Sequence, residues 1–188
     1  MVSILVAGDV TFNSLLYLDQ FPQPKPQTVF SRDFRETLGG TAAGKALNLH
    51  KLGVDVTLHG LIGDDPPGQF IRAYCEHAGV QCLFDIDPRG TQRHVNLMNA
   101  SGGRISIYAS YATFDPVIDL DRLAALIPTC DIVVINLSNY CRQIIPLAEQ
   151  HAKPIWCDIH DYDGHSDYHR EYIEHADYLT MSSDALPD

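Results

Sequence analysis

Residues 38–53, LGGTAAGKALNLHKLG, hold the densest run of positions able to serve a ligand. Gly39, Gly44 and Lys45 satisfy the GxxxxGK spacing with which a phosphate-cradling loop offers backbone N–H groups and an ammonium to a nucleotide. The context opposes that reading. Ala46 stands where such a loop places the Ser or Thr that holds Mg2+, and the preceding RDFRETL is too charged for a buried central strand. A plainer reading has Gly39 and Gly40 turning the chain into a helix that begins at Thr41. The small residues that follow, Ala42, Ala43 and Gly44, add something to it. They leave room for a ligand to reach unpaired amides at the positive end of the helix dipole. A polyhydroxyl compound or a developing anion suits such a position.

A second cluster lies in WCDIHDYDGHSDYHREYIEH, where Asp158, His160, Asp161, Asp163, His165, Asp167 and His169 crowd together. Imidazoles mixed with carboxylates are metal-ligand chemistry. Here they straddle a glycine turn with no HExxH pairing, DYDG reads as a turn, and Ser166 reads as the cap of a following helix. A loop is expected and no metal site. Asp158 and His160 follow a short apolar run, so they are placed at the C-terminal end of a buried strand. Open α/β sheets bind ligands at that end, which makes both second-rank cleft candidates.

Something must position these groups, and the apolar runs supply it. VSILVAG (2–8), DVTLHGLIG (55–63), DIVVINL (131–137), PIWCDI (154–159) and DYLTM (177–181) are too short for helices and rich in Val, Ile and Leu. Helical patterns fall at 41–52, 68–79, 120–127 and 139–152, the last kinked or started late at Pro146. The alternation predicts a mostly parallel sheet with helices on both faces, one α/β domain over 1–188. Two segments break the pattern. Residues 28–38 alternate as an exposed strand, and 93–111 read as two strands joined by Asn99-Ala100-Ser101-Gly102-Gly103. They predict a small separate β element that must lean on the main body, a ligand or another subunit.

Composition narrows the partners. The 188 residues carry thirteen basic and twenty-four acidic side chains, a net charge of −11, which argues against a general nucleic-acid or membrane-surface binder. No apolar run approaches the ~20 residues of a membrane span. The start MVSILVAGDV lacks the basic opening of a signal peptide. Five cysteines without a CxxC pair read as reduced thiols, and a cytoplasmic protein is expected.

The glycine pair, the small-residue helix ending in LG and the following GLIGDDPPGQF resemble the N-terminal signature of ribokinase-like (PfkB) carbohydrate kinases. The layout is similar over essentially the whole chain. The resemblance implies a three-layer αβα fold with a β-sheet lid built from about 28–38 and 93–111. It also implies ATP-dependent phosphorylation of a sugar or polyol hydroxyl, with Mg2+. Within that family the glycine-led helix start binds the sugar, not the nucleotide.

Carried over by position, Asn13 sits where the family usually has an Asp that binds sugar hydroxyls from the end of the first strand; turn capping is the competing reading. Gly39 and Gly40 would give backbone contacts. Gly44 replaces a sugar-binding Asn of ribokinases, so ribose is not assumed. Lys45 reaches an anionic group on the substrate or is a solvated helix lysine. His94, Asn96 and Tyr108 on the hairpin would cover the ligand or be ordinary strand residues. A homodimer through the lids is expected.

The departures come late in the chain. No Gly-Ala-Gly-Asp turn occurs, so the family's general base and anion hole are missing, and no catalytic residue is assigned. Ser182-Ser183-Asp184-Ala185 occupies the place of an Mg2+-linked Asn-x-x-Glu, with Asp184 a weak substitute. The chain is therefore expected to carry the acceptor half of a kinase, without an ATP site and inactive alone. The alternative is a non-catalytic sugar-binding or dimerisation module. A Rossmann oxidoreductase is disfavoured, because VAGDVTFNS lacks GxGxxG.

Overall fold

The apolar runs assemble into one sheet and the alternating, half-polar segments into another. The computed structural model describes residues 2–183. Strands β1 (Ser3–Ala7), β4 (Asp55–Ile62), β5 (Gln81–Ile86), β8 (Ile132–Asn136), β9 (Ile155–Asp158) and β10 (Tyr178–Thr180) form a parallel six-stranded sheet in the order β10-β9-β8-β1-β4-β5. Helices α1 (Thr41–Lys51) and α2 (Pro66–Ala78) cover one face. Helices α3 (Leu120–Leu126), α4 (Ile145–Gln150) and α5 (Arg170–Glu174) cover the other.

Central β1 shows why such strands read as unbroken apolar runs. Ile4 and Val6 pack with Ala42, Ala43 and Ala46 of α1 and with Ile71 and Cys75 of α2. Leu5 and Ala7 point the opposite way, into Leu123, Ile145, Ala148 and Tyr172. Buried on both faces, the strand has no polar side to alternate. Helix α1 buries only alanines, which lets its axis lie close to the sheet and brings its first turn to the C-terminal ends of the strands.

The smaller sheet, β3-β2-β6-β7, comprises β2 (Thr11–Tyr17), β3 (Asp33–Gly39), β6 (Arg93–Met98) and β7 (Arg104–Tyr108). Phe12 anchors it edge-on to Phe70 of α2, ring centres 5.2 Å apart. Several expectations change here. The opening run VAGDVTFNS is two strands in different sheets, separated at Gly8–Val10. A side chain at Gly8 would meet Asn136 Cβ at 2.6 Å, so only glycine lets the chain turn out of the main sheet there. Asn13 therefore lies within β2, not at the end of the first strand. The lid also takes in Thr11–Tyr17, and of 28–38 only the part from Asp33 is strand, continuing to Gly39. Residues 81–86, not read as a strand, form an edge of the main sheet.

The region 139–152 is a 3-10 turn at Asn139–Gln143 followed by α4, with Pro146 in the first helical turn where its missing N–H is harmless. Ser166 makes no side-chain cap. Instead Asp163 Oδ1 accepts from the N–H groups of His165 and Ser166, each 2.9 Å away, and Gly164 has φ 83°, a turn built by Asp163. Among the described residues no helix is long and apolar enough to cross a membrane.

Candidate functional site

Strand order dictates where a ligand can sit. The chain runs from β1 outward through β4 and β5, then returns to the other side of β1 through β8, β9 and β10. Connections diverge between β1 and β8, and a crevice opens beyond their C-terminal ends. A cleft of about 300 Å³ lies there, lined by Gly8 and Asp9 after β1, Ser138 and Tyr140 after β8, His160 after β9, and Tyr108 from the lid.

The start of α1 borders this cleft, and the glycine pair serves a close approach by the protein's own chain. Gly40 has φ 96°, and a side chain on it would meet the Asp9 carbonyl oxygen at 2.2 Å. One on Gly39 would meet the Asn13 amide nitrogen at 2.1 Å. With glycine at the cap, the helix has no local acceptor for its first amides. Asp9 supplies one from thirty-two residues back: its carboxylate accepts from the Thr41 N–H at 3.1 Å and the Thr41 hydroxyl at 2.9 Å. A negative group at a helix N-terminus is favourable. Thr41 Oγ1 also lies 3.3 Å from His160 Nε2. Its one proton goes to Asp9, so the imidazole must donate through Nε2.

Lys45, one turn further on, is partly buried, and its ammonium is spent on the protein itself and does not line the cleft. Its ammonium donates to Asn136 Oδ1 at 2.6 Å and to the carboxylate of Asp158. Asn136 in turn donates to the Ala7 carbonyl at 2.9 Å, and Asp158 Oδ1 accepts from the His160 N–H at 3.1 Å. Helix α1 is thereby tied to the ends of β1, β8 and β9. Burial would raise the Asp158 carboxyl, but Lys45 and the His160 amide outweigh it and hold the group below its ordinary range. His160 has φ 51°, a strained backbone for a residue other than glycine, held by these contacts at the cleft edge.

On the lid, cross-strand register places Thr37, Asn13, His94 and Tyr108 in one transverse row. Partners in register share a face, so the row presents one side of the sheet. The rings of His94 and Tyr108 are 3.9 Å apart, and Gln92 Nε2 lies 2.9 Å from His94 Nε2. Burial lowers the His94 pKa against the pull of Asp9, and burial followed by Asp9 raises that of Tyr108. Both are therefore neutral near pH 7 and suited to hydroxyl groups. Asn96 shares the face, but it is buried and its Oδ1 accepts from the Ser106 hydroxyl at 2.8 Å within the lid. Asp184 lies outside the described residues.

Beneath the cleft is a network that sequence reasoning missed. Tyr140 donates to the Gly8 carbonyl at 3.0 Å, its oxygen lies 3.3 Å from His59 Nδ1, and His59 Nε2 is 3.0 Å from Asp85. Burial pushes the Tyr140 pKa well up, while the bond from His59 holds Asp85 below its usual value. These residues come from three separate segments with no shared spacing, so no local signal joins them. Asp9 was legible in principle, as the first polar residue after an apolar run. Among the described residues no group of three or more His, Cys, Asp or Glu side chains could hold a metal ion. No Gly-Ala-Gly-Asp turn occurs in these 188 residues, and none of the described groups is assigned to Mg2+–ATP.

Comparison with known proteins follows the same lines. The chain matches the pfkB family carbohydrate kinase over residues 1–186. The acarbose 7(IV)-phosphotransferase of Actinoplanes sp. is 24% identical over 190 residues, covering 98% of this chain and 62% of that protein. A solved structure of a microbiome-derived acarbose kinase superimposes with a TM-score of 0.91 at 29% identity, covering 100% of this chain and 62% of that one. The ribokinase of Giardia lamblia shares the fold, with a TM-score of 0.82 at 16% identity over 96% of this chain. The chain spans 62% of the length of each of these relatives.

Proposed function

The chain belongs to the pfkB family of carbohydrate kinases, and from that premise we propose that the protein serves ATP-dependent phosphorylation of a hydroxyl on a sugar or related polyol, this chain supplying the acceptor-binding half. The observation that carries the reading is the cleft at the β1–β8 divergence. There the side chains of Asp9 and His160 and the lid residue Tyr108 line one space, and Asp9 and His160 both contact Thr41 at the start of α1.

The acceptor's hydroxyls meet Asp9 and Asn13, with backbone groups of Gly39 and Gly40 beside them, while His94 and Tyr108 cover the ring. Asn96 shapes the lid from within. Lys45 and Asp158 set the distance between α1 and the strand ends, and His160 turns the latter's geometry toward the cleft. ATP supplies the phosphoryl group in this family reading. No step is assigned to this chain's residues in that transfer, because none of the described groups is placed against a nucleotide. The second lid face exposes Phe34, Ile105 and Ile107, which supports pairing of two lids in a homodimer.

Calorimetry with a saccharide panel that includes acarbose and ribose tests the reading. Binding of at least one saccharide is expected, weakened about tenfold or more by Asn13→Ala through loss of a hydroxyl contact. Absence of binding across the panel would sink it. A non-catalytic saccharide-binding module is the second reading, favoured by a cleft whose lining groups suit hydroxyls. Saccharide binding by the natural gene product without ADP release from Mg2+–ATP selects it.

A further inference from the structure

The cleft mouth carries more aromatic surface than one covered ring requires. From Tyr108 the chain leaves the lid and crosses the rim through Tyr111 to Phe114. The Tyr108 and Tyr111 rings lie nearly parallel, 14° apart with centres at 5.8 Å, and all three side chains line the cleft. They are 50%, 60% and 62% exposed, respectively. Neither Tyr111 nor Phe114 belongs to a helix or strand that its ring could serve by packing. Three neighbouring aromatics left in water at the edge of a polar cleft mark a binding surface, not a core. Flat aromatic faces suit the C–H faces of sugar rings, whose hydroxyls project sideways.

The charges beside this rim select further. Among the described residues no Lys or Arg lines the cleft. Lys45 of α1 is taken up by Asp158 and Asn136. The acidic groups felt at Tyr108 are Asp9 and Asp161, with Arg104 the opposing cation on the lid strand. An acceptor bearing phosphate or carboxylate would meet the like charge of Asp9 inside the cleft, where no Lys or Arg answers it, whereas a neutral or aminated one would not.

We propose that Tyr108, Tyr111 and Phe114 form a subsite for a sugar ring beyond the one held against Asp9 and Thr41, so that the acceptor is an uncharged or aminated oligosaccharide. This rests on the reading that an acceptor sugar occupies the cleft. The inner ring sits at the α1 start, and the next ring lies on the Tyr108–Tyr111 faces with Phe114 at its outer edge.

Calorimetry on the chain with glucose, maltotetraose, a glucosamine tetrasaccharide and glucose 6-phosphate separates the possibilities. Both tetrasaccharides bind about tenfold or more tighter than glucose, and glucose 6-phosphate binds more weakly than glucose at low salt. Tyr111→Ala reduces the tetrasaccharide-to-glucose ratio about fivefold, and Tyr111→Phe, which keeps the ring, restores it. Phe114→Ala, at another exposed loop position, gives an independent reduction should Tyr111→Ala misfold. Glucose and maltotetraose binding equally, or a ratio unmoved by both alanine variants, overturns the subsite while leaving the acceptor reading intact. Glucose 6-phosphate binding tighter than glucose overturns the charge argument. Failure of every saccharide to bind removes the acceptor reading and the subsite together.

Discussion

Helices α1 and α2 begin at the same end of the same sheet, each next to glycines, and they satisfy their free amides by opposite means. At α2 the acceptor is local. Asp65 is the N-cap and its carboxylate accepts from the Gly68 N–H at 2.8 Å, the Thr91 N–H at 2.8 Å and the Thr91 hydroxyl at 2.6 Å. Thr91 Oγ1 accepts in turn from the Gly63 N–H at 2.8 Å. A side chain at Gly68 would meet the Gly63 carbonyl oxygen at 2.1 Å, so GDDPPG closes on itself and on the base of the lid hairpin. At α1 the acceptor is Asp9, far away in sequence, and the exposed Thr41 it binds sits at a cleft. A carboxylate enclosed by three donors from its own chain is a fastener. One that meets a single exposed residue stays accessible to a ligand.

Asp65→Ala should therefore cost the most stability of any change compared here. It removes a helix cap and leaves the Thr91 N–H without its acceptor, a loss of about 3 kcal/mol. For a chain of this size the melting temperature falls on the order of 10 °C, read by circular dichroism. A smaller loss than that of Asp9→Ala would break the comparison outright.

Lys45→Met comes next, at about 2 kcal/mol, less than for a fully buried ion pair because both partners retain some solvent. Its pH dependence sharpens the assignment. Asp158 is held below its ordinary 3.8 in the folded protein, so the unfolded chain takes the proton first as pH falls. The stabilisation is complete above the unfolded value and is lost as pH drops through the folded one. Without Lys45 the strongest influence lowering the Asp158 carboxyl is gone, so the variant loses less stability than wild type as that group takes its proton. The stability gap between wild type and variant should narrow as pH falls from 6 to about 3 in urea titrations. A gap constant over that range would show that the ion pair contributes nothing.

Legibility in the sequence follows the same division. GDDPPG, a cap and a helix within a few residues, could be read because everything it bonds except Thr91 is adjacent. Of the five apolar strands, β1, β4 and β8 could be read because they are buried on both faces and show it as runs rich in Val, Ile and Leu, whereas β9, with Trp156 exposed, and the exposed β10 showed only as short apolar runs. The resemblance to sugar kinases supplied Asn13, His94 and Tyr108, which register then brings into one row. Long-range partnerships were not legible. Nothing near Asp9 announces Thr41, nothing near Lys45 announces Asn136 and Asp158, and the His59–Asp85–Tyr140 network joins segments dozens of residues apart. The chain's turn from β1 into the lid also escaped notice, since VAGDVTFNS is continuous in pattern and broken only by the contact between Gly8 and Asn136.

Within α1 itself the comparison predicts a gain. Gly44 is helical, and a methyl group there would meet nothing within 4 Å. Gly44→Ala should stabilise the chain by about 0.5–1 kcal/mol through helix propensity alone. A loss instead would mean that the space beside Gly44 is needed by the fold, contrary to the open geometry.

Asp9 gives the smallest effect on stability and the most telling one. Thr41 is exposed, so water replaces the carboxylate when Asp9→Ala removes it, and helix capping by a distant side chain costs about 0.5 kcal/mol. Saccharide affinity should drop about tenfold or more, since a carboxylate accepting from sugar hydroxyls has no substitute at that position. Asp9→Asn, which keeps the shape and one acceptor, should retain the stability and lose part of the affinity. Such a split, little change in melting and a large change in calorimetric binding, is what separates an addressable acceptor from a fastener. If Asp9→Ala instead lowers melting as far as Asp65→Ala and leaves saccharide binding untouched, both helix starts are structural and the sugar must be held elsewhere.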